Sequence, residues 1–260
     1  MSTSSPLAIT TVAERPELSA EISRLHAIGW PAFMREDPVA DRLWEHLETT
    51  FSAYQFVLTD AAGAIVACGN SIPFVWDGTV EGLPAGWDDV FERGVADHHA
   101  GRAPNTLSAL AAVVDPARRG GGISAEVIRA MRQVARSNGL GALVAPVRPS
   151  QKSRYPLIPI EQYVAWTNRD GLPFDPWLRV HARLGARILA IAHASMTISG
   201  TVSDWERWTG MALPGSGSYV VPEALVPIQV DREADRGVYV EPNVWMLHEL
   251  SPAAGGAESS

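Results

Sequence analysis

Apolar positions along this chain recur in two periods, and the period switches where glycine and proline interrupt it. Residues 7–12 and 54–59 read as strands. Asp60-Ala61-Ala62-Gly63-Ala64 reads as a hairpin turn into a partner strand over 65–74. Between the first two strands the spacing is helical. Ile22, Leu25, His26 and Trp30 share one side of a segment opening at Pro16, and Leu43, Trp44, Leu47 and Phe51 share one side of 41–51. A further helix around Trp87-Asp88-Asp89-Val90-Phe91 belongs to a segment, 80–100, inserted after the hairpin.

The middle of the chain is the most ordered in pattern. Residues 106–114 are almost continuously apolar, as in a strand buried on both faces. In 124–137, Val127, Ile128, Met131, Val134 and Ala135 form one stripe, Glu126, Arg129, Gln133 and Arg136 face away, and Gly139 stands where a helix would stop. A strand over 141–147 completes a strand–helix–strand unit, which implies a parallel pair with a right-handed crossover. Residues 148–176 are rich in proline and aromatics and read equally as a lid or as a cover for the core. Then come a helix over 177–184 ending at Gly185, strands over 187–199 and 238–248, a short helix over 202–210 and a pairing segment over 219–230. The small polar residues of 251–260 predict a disordered tail. With no internal repeat and no linker of distinct composition, residues 1–250 read as one elaborated domain.

The 260 residues are 46% hydrophobic and 19% charged, ordinary for a soluble enzyme. A net charge of −8 argues against non-specific binding to nucleic acid or to an anionic membrane. Cys68 is the single cysteine, so no internal disulfide forms, and its apolar surroundings predict a packed strand residue. The first residues lack the pattern of a secretory signal, and no stretch has the length of a membrane-spanning helix. A cytoplasmic protein is expected. Lys152 is the only lysine among 21 basic residues, which points to a GC-rich, bacterial-type coding bias.

Candidate chemistry gathers at the joint between the central strand and the amphipathic helix, Val113-Val114-Asp115-Pro116-Ala117-Arg118-Arg119-Gly120-Gly121-Gly122-Ile123-Ser124. A strand turning through glycines into a helix N-terminus presents free N–H groups and the positive end of the helix dipole, and arginines add donors suited to phosphate. The joint reads as a pyrophosphate cradle. His98-His99 follow Asp97, but adjacent residues point apart and no ligand spacing completes a metal site, so no metal is expected. Gly215-Ser216-Gly217-Ser218 lacks the strand–turn–helix context of a nucleophile elbow. A lysine-containing phosphate loop is also missing.

Arg119-Gly120-Gly121-Gly122-Ile123-Ser124, led in by Val114-Asp115-Pro116, resembles the nucleotide-binding signature of the GCN5-related N-acetyltransferases, with Ser124 where the family has glycine or alanine. The order of elements is similar to that family over roughly 7–147 and 177–250. The resemblance implies an α/β (α+β) fold: a mixed, mostly antiparallel central sheet of six to seven strands flanked by helices, with parallel splayed central strands and extra insertions. It also implies binding of acetyl-CoA or another acyl-CoA. Gly120, Gly121, Gly122, Ile123 and Ser124 would hold the pyrophosphate, Arg118 and Arg119 would add charge, and Ala112, Val113 and Val114 would pair with the pantetheine. A strand N–H between Leu110 and Ala112 would polarise the thioester carbonyl.

Direct transfer of an acetyl or other acyl group to a small-molecule amine follows from the same likeness, and many family members are homodimers. His181 stands where family members often carry a tyrosine that acts as general acid. Glu161 and Asp175, with Asp170 and Glu241, are candidates for the base, and Trp76, Trp166, Phe174 and Trp177 for the acceptor-pocket wall. The alternative is a non-catalytic acyl-CoA sensor on the same fold.

Overall fold

The computed structural model describes residues 7–118 and 121–250. The tail over 251–260, and Arg119 and Gly120 of the cradle, lie outside the described residues. The strands are β1 (Ala8–Thr11), β2 (Phe56–Thr59), β3 (Ile65–Phe74), β4 (Thr106–Val114), β5 (Ala142–Val147), β6 (Arg187–Gly200), β7 (Gly217–Tyr219), β8 (Ile228–Asp231) and β9 (Arg236–Glu249). They form one sheet in the order β1-β2-β3-β4-β5-β9-β8-β7, with β6 also paired to β9. All pairs are antiparallel except β4–β5. The mixed, mostly antiparallel sheet is the expected one, but it has nine strands, not six to seven. The reason is the 14-residue β9. One of its edges carries β5 opposite Val244–Glu249 and β8 opposite Arg236–Val238, while its other edge carries β6.

Among the described residues seven α-helices flank the sheet: α1 (Leu18–Gly29), α2 (Pro38–Glu48), α3 (Trp87–His99), α4 (Ile123–Ser137), α5 (Ile160–Val164), α6 (Pro176–Arg183) and α7 (Val202–Thr209). Local chemistry sets their ends. Asp37 accepts from the N–H groups of Val39 and Ala40 at 2.9 Å, and Pro38 follows, so α2 starts there. Thr201 and Asp204 cap α7 reciprocally.

α4 buries its predicted stripe of Val127, Ile128, Met131, Val134 and Ala135 against Phe56, Leu107 and Leu143 on one face of the sheet. α1 covers the other face, where Leu18, Ile22 and Leu25 meet Val57, Cys68 and Val113. Cys68 is wholly buried, as expected, and burial pushes its thiol up to about 12. α1 lies so close to β4 that a Cβ on Gly29 would stand 2.5 Å from Cγ1 of Val113.

The 148–176 segment folds as a packed cover. Tyr155, Tyr163, Trp166 and Phe174 contact one another with ring centroids 5.1–6.1 Å apart. Lys152 is fully buried and donates from Nζ to the carbonyls of Tyr155 (2.8 Å) and Leu225 (2.7 Å), tying the cover to the chain beyond β7.

Candidate active site

β4 and β5 are in parallel register only from Thr106 to Ser108 and from Ala142 to Val144. Beyond that they splay, and Ala109–Val114 of one strand and Ala145–Val147 of the other line a cavity of about 1010 Å³. Splaying frees a row of backbone groups at the mouth of an otherwise complete sheet. β4 also carries a bulge: Asn70 of β3 lies opposite Ala111 and Ser71 opposite Ala109, which leaves Leu110 without a β3 partner. A bulge re-aims backbone groups beside a site. The predicted strand N–H donor region, Leu110 to Ala112, falls at this irregularity.

At the predicted cradle the helix starts one residue earlier than expected. Gly122 has φ +78°, a left-handed conformation that a side chain would oppose, and α4 begins at Ile123, so Ser124 lies inside the first turn. Helix geometry leaves first-turn N–H groups without intrahelical acceptors. Gly122, Ile123 and Ser124 line the cavity together with Ala112, Val113 and Val114. Gly121 is exposed beside them, and Arg118 is partly exposed and pairs with Asp60 at 3.2 Å.

α6 forms the next part of the wall through Pro176, Trp177, Val180 and His181. His181 is 1% exposed and its Nδ1 lies 3.0 Å from Nε2 of His248, while its own Nε2 is buried with no partner. Its ring stands edge-on to Trp177, 4.6 Å between centroids. Burial, and then the neighbouring His248, push its pKa down to about 3. Burial favours the uncharged form, so the ring would act through a neutral nitrogen.

The remaining candidates separate clearly. Asp175 does not line the cavity. It caps α6 through the N–H groups of Trp177 and Leu178, accepts from the N–H groups of Ser150 and Gln151, and takes the hydroxyl of Tyr163 at 2.7 Å. Both of its oxygens are committed to holding the insertion on the helix. Glu161, on α5, is 54% exposed away from the cavity and meets His193 at 3.4 Å. Asp170 is exposed in the loop. Glu241 does line the cavity, but fully buried and engaged by Arg148 Nε (2.8 Å), the Tyr239 hydroxyl (2.7 Å) and Asn243 Nδ2 (3.0 Å). None of these four presents an unengaged carboxylate to the cavity. Of the four aromatics only Trp177 faces the cavity. Trp76 is in the core, and Trp166 and Phe174 build the cover. His98 and His99 pack by their rings against Phe51 and His46, and among the described residues no cluster suits a metal.

Sequence reasoning missed the wall given by α1 and α2. His26, Trp30, Arg35, Asp41 and Trp44 line the cavity with Trp87, and Glu223 closes it beside Arg148. The signal existed in His26, a histidine placed among apolar positions on the inward side of α1. Glu223 has φ +66°, a strained conformation for a residue with a side chain, and its carbonyl accepts from Arg148 at 2.6 Å.

No family model matches the chain. A curated relative, the arginine N-acetyltransferase avaD of Aspergillus versicolor, is 35% identical over 273 residues, covering 93% of this chain and 93% of that protein. Among solved structures, the loading GNATL domain of CurA from Lyngbya majuscula superposes with a TM-score of 0.60 at 15% identity, covering 95% of this chain and 98% of that one. The GphF GNAT-like decarboxylase in complex with isobutyryl-CoA gives 0.56 at 22% identity, covering 94% and 100%. At those identities the two structures speak for the fold alone.

Proposed function

The chain belongs to the GCN5-related N-acetyltransferase superfamily and is an acyl-CoA-dependent N-acyltransferase; from that premise we propose that it acetylates a small cationic amino acid, arginine or a close analogue. The observation that carries the reading is one continuous cavity. It runs from the N-terminus of α4, between the splayed strands, to a wall of mixed charge formed by Arg35, Asp41, Arg148, Glu223 and Glu241. An anion cradle at one end suits a pyrophosphate. Cations and carboxylates together at the other suit an acceptor that carries both. The named activity of the fungal relative supports the same acceptor class.

Acetyl-CoA supplies an activated thioester carbonyl. The chain supplies the rest: Gly122, Ile123 and Ser124, with Arg119, hold the phosphates, the free ends of β4 and β5 align the pantetheine arm, and the bulged strand at Leu110–Ala112 offers donors where negative charge develops. His181 serves as a neutral hydrogen-bond donor for the departing sulfur, its far nitrogen held by His248. The single, buried Cys68 suits the cytoplasm.

Thiol release from acetyl-CoA by the purified protein, with arginine against lysine, ornithine and neutral amino acids, tests the reading. Turnover preferring arginine is expected. Turnover indifferent to side-chain charge would overturn the acceptor assignment. Tight CoA binding with no turnover on any amine would favour the sensor.

A further inference from the structure

The sequence candidates leave the amine without a proton acceptor at the cavity, and the structure holds a different one. His26 projects from α1 into the cavity wall, beside Trp44, whose ring stands 5.1 Å away edge-on. Its Nε2 lies 2.9 Å from Oδ1 of Asn70. Asn70 is opposite Ala111, next to the Leu110 bulge, so the imidazole stands over the part of β4 where the acyl group would be held.

The direction of every hydrogen bond behind His26 is fixed by backbone. Gln55 is 1% exposed. Its Nε2 donates to the carbonyls of Phe51 and Ser71, both at 2.8 Å, and its Oε1 accepts from the N–H of Ser71 at 3.1 Å. A carbonyl accepts only and an N–H donates only, so the Gln55 amide has one orientation. Its Oε1 therefore faces Asn70 as an acceptor and takes the Nδ2 hydrogen at 3.1 Å. That leaves Asn70 Oδ1 toward His26 as an acceptor, so Nε2 of the imidazole must carry the hydrogen. The lone pair is on Nδ1, which no group among the described residues engages.

We propose that His26 is the general base of the acyl transfer, with Asn70 and Gln55 as positioning residues that fix its tautomer. This rests on the acyltransferase reading above. As the acceptor nitrogen bonds the acyl carbon, His26 Nδ1 takes the hydrogen that nitrogen gives up. The C–S bond breaks with its electron pair left on sulfur, and the proton passes from the imidazole through solvent to balance the thiol. Burial keeps the ring unprotonated, with a pKa pushed down to about 4, so the base is in its working form throughout the neutral range.

Two measurements test this together. Long-range nitrogen–proton spectra of the uniformly labelled, ligand-free protein should show one histidine, lost in His26→Gln, locked as the Nε2–H tautomer, and Asn70→Ala should convert it to a mixture. In steady state, His26→Gln should lower kcat about 100-fold or more, in the range of general base catalysis, while the calorimetric affinity for CoA stays within threefold. Asn70→Ala should lower kcat about 10-fold, and added imidazole should restore part of the activity of His26→Ala. An Nδ1–H tautomer in the wild-type protein, or a kcat for His26→Gln within threefold of wild type, overturns the proposal. If the wild-type protein releases no thiol with any amine, the acyltransferase reading fails and the proposal falls with it. Normal wild-type turnover with an indifferent His26 variant refutes the base alone. Should His26→Gln not fold, the wild-type tautomer and the Asn70→Ala kinetics still decide.

Discussion

Replacing Asp175 separates a structural carboxylate from a catalytic one. In Asp175→Ala the α6 cap is lost, which costs about 1 kcal/mol in proteins. The Tyr163 hydroxyl and the Gln151 N–H lose an acceptor in a buried setting, and an unsatisfied buried donor costs about 1–3 kcal/mol. Ser150 is exposed and recovers a partner from water. The expected loss is about 3–7 kcal/mol, a large share of the stability of a typical domain. With a urea slope of about 3 kcal/mol/M, the upper end of the usual range, the unfolding midpoint should drop by about 1 M or more. Asp175→Asn retains Oδ1 for Trp177 and Leu178 and should lose less. The paired assay is thiol release at a temperature where the variant is folded, with kcat within threefold of wild type. A midpoint within 0.3 M of wild type (roughly 1 kcal/mol by the same slope) would refute the structural reasoning. A 100-fold fall in kcat of the folded variant, the scale of a lost general base, would restore Asp175 as a base.

Other expectations follow from single features. Arg119→Ala should weaken CoA binding by roughly 1.5–3 kcal/mol in calorimetry, the value of a charge-assisted hydrogen bond. Gly122→Val forces a branched residue into φ +78° at a cost of about 1–2 kcal/mol, and should raise the Kd for CoA about 10-fold while circular dichroism is unchanged. Acid should destabilise the fold between pH 6.5 and about 3. His26, His181 and His248 have pKa values lowered chiefly by burial to about 4, 3 and 4, so the unfolded chain takes up their protons first and stability falls as pH drops through that window, as pH-dependent urea midpoints would show. Asp88 has the opposite sign. Burial and the facing Asp37 raise it to about 8, so its contribution is lost as pH rises from about 4 to 8, and Asp88→Asn should be more stable than wild type at pH 8.

The stretch of cavity wall from β4 to the start of α4 was legible in the sequence because its strand, glycines and helix start lie within about a dozen residues. The opposite wall was not, because it is assembled from distant segments. His26 and Asn70 are 44 residues apart, and Arg148 and Glu241 are 93 apart. Asp175 misled for a different reason. An aspartate before Pro176-Trp177 is an N-cap signal, and its presence in a candidate loop hid that. The extra strands could not be counted because β7 and β8 have three and four residues, too short to show a period.

Lys152, the strut under the aromatic cover, bears on the enzyme's exposure to its own reagent. Acyl thioesters modify accessible lysine amines without any catalyst, and a protein that keeps one bound is the nearest target. This chain has a single lysine, and its amine, lowered by burial to about 8 and so partly neutral at neutral pH, is sealed behind two carbonyls with no exposed surface. Every other cationic side chain that faces solvent is an arginine or a histidine. The molecule therefore offers no solvent-facing lysine for adventitious self-acylation.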